Sequence, residues 1–82
     1  MTARERIRQF VTETFFVDSF SDDESFLTSG IIDSTGMMEL VLFLEQEFAI
    51  KIHDEELVPQ NLDSVAAATA FVGRKQLGAD AA

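Results

Sequence analysis

Met37, Leu40, Val41, Leu44 and Phe48 recur at spacings of three and four. That is the pattern of one face of an α-helix, which advances about 100° per residue. The spacing predicts a helix from Ser34 to Phe48 with those five residues toward a core. Glu39 and Gln46 fall opposite them. No stretch of the chain shows strand-period alternation of useful length, so the fold must be built from helices.

Three further helices are expected. Thr2-Ala3-Arg4-Glu5 reads as a capping box, a hydroxyl with a carboxylate three residues on, and starts a first helix. Ile7, Phe10, Val11, Thr14 and Phe15 carry its apolar face. A short helix is expected near Asp54 to Val58, capped by Asp54 and limited by Pro59. The last begins near Asp63-Ser64 and runs through VAAATAFVGRKQ, where alanines favour helix and permit close packing. The fold class expected is all-α: a small four-helix bundle, three longer helices and one short, with a long first loop.

That loop, 16–33, is rich in Asp and Ser, which compete for backbone hydrogen bonds and disfavour helix. It also carries Phe16, Phe20, Phe26, Leu27, Ile31 and Ile32, which are expected to anchor it on the bundle. Its acids do not make an EF-hand. Counting from Asp18 or from Asp22, apolar or wrongly charged residues occupy required ligand positions. No metal site is expected.

At 82 residues the chain is expected to be a single domain, 1–82, with an ordered core over about 2–76 and a frayed tail over 77–82. It has no cysteine, hence no disulfide or thiolate metal site. The longest apolar run, LVLFL, is far short of the ~18 residues that span a bilayer. The start of the chain lacks the apolar centre of a signal peptide. A soluble, cytoplasmic protein is expected, and a monomer. The net charge of −9, from 15 acidic and 6 basic residues, disfavours nucleic acid and anionic membrane as partners. It favours proteins with basic patches.

Ser34, Met38, Leu42 and Glu45 form a second stripe on the Ser34–Phe48 helix, turned outward from the core. Met38 and Leu42 are expected to be at least partly exposed. With Glu39 and Glu45 beside them they suggest a docking strip, the alternative being cover by another helix. Ser34 stands at the helix mouth in GIIDSTG. It could serve as an N-cap, but Asp33 is equally suited and would free it. It is not a hydrolase nucleophile. Ile32 stands where the nucleophile elbow needs its first Gly, no strand precedes it, and His53 lies past the far end of the helix. No catalytic residue is expected. Gly36, in the first turn, weakens that helix, and room for a bound group or a partner is one reason to keep it.

The stretch LTSGIIDSTGMMELVLFLEQEFAIKIHDEEL resembles the acyl and peptidyl carrier proteins of the free-standing type. The likeness extends to the first helix, the acidic loop ending in Phe26-Leu27, Val65 and the alanines of the last helix. It implies a 4′-phosphopantetheine arm, taken from coenzyme A and fixed to Ser34 beside Asp33 by a phosphopantetheinyl transferase. The arm would hold an acyl or aminoacyl group as a thioester. It would be loaded by an adenylating ligase or acyltransferase and presented to a downstream synthase or transferase. Such a chain is a carrier and not an enzyme. Thr35 and Gly36 depart from the apolar and polar residues common after the serine in that family. The alternative function is an unmodified acidic helical adaptor that only binds proteins.

Overall fold

The computed structural model of the chain describes residues 1–77. All but the first residue of the expected tail therefore lies outside the described residues. Among the described residues there are five α-helices: α1 Ala3–Phe15, α2 Phe26–Ser29, α3 Ser34–Phe48, α4 Pro59–Leu62 and α5 Val65–Gln76. A 3₁₀ turn, Asp54–Glu56, lies between α3 and α4. No strand occurs among the described residues, so the expected all-α class holds.

The three long helices start where the sequence places them. Thr2 Oγ1 accepts from the Glu5 N–H at 3.1 Å, and the Glu5 carboxylate accepts from the Thr2 N–H at 2.8 Å. Ser64 Oγ caps α5 by accepting from the Ala67 N–H at 3.0 Å. α1 and α3 run antiparallel. Arg6 pairs with Glu47, Phe10 stacks on Phe43 at 4.2 Å between centroids, and the Phe15 ring lies over Gly36. α5 packs against α1 and closes the bundle. The core joins Ile7 and Val11 of α1, Leu40, Val41, Leu44 and Phe48 of α3, and Val65, Ala68 and Val72 of α5. Met37, the fifth member of the expected stripe, is half-buried at its edge.

The long loop is anchored by Phe20, Phe26 and Ile32, all buried. Phe16 does not anchor it; its ring is 91% exposed. The loop contains a helix of its own, α2, ended by Gly30 in the left-handed region at φ 80°. Asp63 clamps α2 from the α4–α5 junction. Its carboxylate accepts from Ser25 Oγ and from the Leu27 N–H (3.0 Å), and its carbonyl accepts from the Phe26 N–H at 2.8 Å. On the other side Asp22 pairs with Arg4 and with Arg8, and the Arg8 guanidinium sits 4.2 Å from the Phe20 ring centre.

One expected element is displaced. The short helix does not run from Asp54 to Val58 with Asp54 as its cap. His53 precedes a single 3₁₀ turn, and the helix that follows starts at Pro59. Proline does not end it but opens it, at the first helical position, where a missing N–H costs nothing and φ is already helical.

Candidate functional site

The mouth of α3 is set by Asp33. Its backbone is extended, and Oδ1 accepts from the Gly36 N–H at 2.7 Å. Ser34 is thus the first residue inside the helix rather than its cap, and it is exposed. No hydrogen bond joins its hydroxyl to another described residue. Ile32, buried beside it, and the Ile32 N–H donating to the Phe26 carbonyl at 3.2 Å hold the approaching chain in place.

Gly36 is buried. A β-carbon there would stand 2.7 Å from Phe15 Cε1 and 2.9 Å from Ile32 Cγ2. Its missing side chain makes room for the protein's own packing, so the room it leaves is not for an arm or a partner. The weak first turn is the consequence of bringing α1 close enough to clamp it.

Beside Ser34 lies an open groove of about 230 Å³, lined by Leu27, Met37, Met38, Val41, Leu57, Val58, Pro59 and Leu62. Ser34 contributes the one polar side chain among the described residues that line it. The near wall is α3, and the far wall is the segment from the 3₁₀ turn into α4. That wall hangs from α5 through Glu56. The Glu56 carboxylate accepts from the His53 N–H at 2.9 Å and from Lys75 Nζ at 2.9 and 3.1 Å. Lys75 is only 5% exposed. The His53 N–H foremost, and the Lys75 ammonium next, hold the Glu56 carboxyl below its usual pKa. The Glu56 carbonyl also accepts from Asn61 Nδ2 at 3.0 Å.

Met38 and Leu42 are 53% and 54% exposed, so neither is covered by another described element. Glu39 is exposed beside them. Glu45 is placed differently. It is half-buried, and its carboxylate accepts from the Ile52 N–H at 2.9 Å, tying the connection after α3 back to the helix. The far wall of the groove, with Glu56 and Lys75 behind it, was not among the residues singled out from sequence. The signal that could have found it is Pro59, which suits the first position of a helix as well as the end of one.

The bundle thus presents an exposed serine, without a hydrogen-bond partner among the described residues, at the lip of an apolar groove. Comparison with known proteins gives the class. The chain is 27% identical over 78 residues to an acyl carrier protein of Solidesulfovibrio magneticus, covering 93% of this chain and 97% of that one. It is 37% identical over 59 residues to an acyl carrier protein of Kineococcus radiotolerans, covering 72% and 70% of the two chains. No protein-family model matches. The chain belongs to the acyl carrier protein family, whose members are carriers without catalysis of their own.

Proposed function

We propose that Ser34 is the attachment point of a 4′-phosphopantetheine arm, and that the chain presents an acyl group on that arm to successive enzymes. The observation that carries this reading is the division of labour at the helix mouth: Asp33 caps α3, which leaves the Ser34 hydroxyl exposed and uncommitted. The arm, when bound, supplies a thiol that the cysteine-free chain lacks. Ser34 Oγ forms a bond to the β-phosphorus of coenzyme A. The pyrophosphate bond breaks, adenosine 3′,5′-bisphosphate leaves, and the hydroxyl proton passes to the transferase. The N-terminal end of α3, a helix of 15 residues, favours the phosphodiester anion that results.

The groove supports an apolar acyl cargo over a polar aminoacyl one, because Ser34 is the single polar side chain among the described residues that line it. Met38, Leu42 and Glu39 form the docking strip; Glu45 contributes its charge from a fixed position. Tethering then delivers cargo to each partner at high effective concentration.

Intact mass tests the attachment. Incubation with coenzyme A, Mg²⁺ and a broad-specificity phosphopantetheinyl transferase should add one phosphopantetheine to the wild type and none to Ser34→Ala. A wild-type mass unchanged by several transferases would sink this reading and leave an unmodified adaptor in its place.

A further inference from the structure

Phe16 closes α1 in the left-handed region, at φ 59° and ψ 42°. That conformation favours glycine, because a β-carbon is crowded there. Ala49 closes α3 in the same way, so the backbone by itself is not unusual. What sets Phe16 apart is that this position is filled by a large ring that buries almost nothing, at 91% exposure. The backbone of Phe16 is also held in place relative to Ser34. Its neighbour Phe15 points the other way, onto Gly36, and edge-packs against Phe10 at 6.0 Å between centroids. The end of α1 is thereby locked to the turn that carries Ser34. The sequence around it is of one sign. Residues 9–50 contain nine acidic and no basic side chains, and Glu13, Asp18, Asp33 and Glu39 are exposed.

We propose that Phe16 is a docking anchor for the transferase that modifies Ser34, its ring entering an apolar recess with a basic rim on that enzyme. This rests on the Ser34 reading above and enlarges the contact from α3 to the end of α1. An exposed aromatic ring on a positioned backbone, inside a rim of complementary charge, has the composition of an interface core, where Phe is among the enriched residues. Anionic membrane is excluded as the occupant by the same acidic surround.

The test is the kinetics of phosphopantetheine transfer, read by intact mass, with coenzyme A saturating and the carrier varied. Phe16→Gly should raise KM for the carrier about tenfold with kcat unchanged. Phe16→Leu should fall between it and the wild type. The thermal midpoint of Phe16→Gly should not drop, since glycine suits the backbone there. The KM of the wild type should rise with salt, while the ratio between wild type and Phe16→Gly should persist. If the wild type is modified and Phe16→Gly has the same kcat/KM, the anchor is overturned and the Ser34 reading stands. If the wild type is never modified, both fail. Sedimentation showing a dimer that Phe16→Gly dissolves would also overturn the proposal, because a second copy would then cover the ring.

Discussion

The ring of Phe15 occupies the space in which any residue other than glycine at position 36 would place its β-carbon. Two effects compete when that carbon is added. Ala in place of Gly inside a helix gains up to ~1 kcal/mol. Overpacking a close contact costs about 1–3 kcal/mol. At 2.7 Å the contact must give, and Ile32, buried at 2.9 Å, blocks one direction of escape. Gly36→Ala should therefore destabilise the fold by about 1 kcal/mol in urea unfolding. Combining it with Phe15→Leu should recover most of that loss, giving a coupling energy of opposite sign to the single changes. A Gly36→Ala variant more stable than wild type would mean that the Phe15 ring swings aside freely.

The capping of α3 separates stability from function at adjacent residues. Asp33→Ala removes the acceptor for the Gly36 N–H and should cost ~1 kcal/mol. Asp33→Asn keeps an acceptor of equal rank and should stay within a few tenths of wild type. Ser34→Ala, with no hydrogen bond to lose and better helix propensity, should be neutral or slightly stabilising. Chemical denaturation of the three variants checks the ordering. A Ser34→Ala loss as large as that of Asp33→Ala would make the serine a structural cap.

What the sequence showed and what it hid divide along physical lines. α1, α3 and α5 were legible because each is long enough to repeat its apolar spacing and each has a side-chain cap, Thr2, Asp33 and Ser64. The exposure of Met38 and Leu42 followed from their angle on α3. α2 was hidden because four residues show no period; it exists through tertiary bonds to Asp63, 36 to 38 positions away. Pro59 was read as a stop because a proline ends one helix as readily as it opens the next. Gly36 could not be explained from its own segment, since the atoms that demand it belong to Phe15, on another helix. The groove was hidden for the same reason: its two walls meet only in the fold.

Asp63 is the residue whose loss should most disturb the long loop. Its carboxylate receives both Ser25 Oγ and the Leu27 N–H. Asp63→Ala leaves those donors without their partner and should cost about 1–3 kcal/mol. The loss should be local at first. Amide exchange at residues 25–29 should accelerate more than exchange within α1, because only α2 hangs on that carboxylate. Uniform acceleration across the chain would show instead that the loop and bundle open together.

Acid stability should separate two opposing contributions. Removing negative charge from a chain of net charge −9 relieves self-repulsion, so mild acidification from neutral pH should stabilise the fold. Asp22 and Glu56 act in the other direction. Asp22 is held below its usual pKa by its hydrogen bond to Arg4 and then by Arg8, and Glu56 by the His53 N–H and then by Lys75. Both bind a proton less readily folded than unfolded. The stability they give is complete above their unfolded pKa values, about 4, and is lost as the pH falls through the lower folded values. The midpoint of thermal unfolding should therefore rise from pH 7 toward pH 5 and fall steeply below about 4. Lys75→Met isolates one contribution. It removes the ammonium that faces Glu56, fills similar volume at a site 5% exposed, and should make the fall below pH 4 shallower. Because Glu56 holds the far wall of the groove, the same variant should loosen residues 54–59, visible as faster amide exchange there at neutral pH. An acid limb identical in wild type and Lys75→Met would remove the Lys75 contact from the pH dependence and leave the His53 N–H on Glu56, Asp22, and Glu5, held low by the Thr2 N–H and hydroxyl, as its sources.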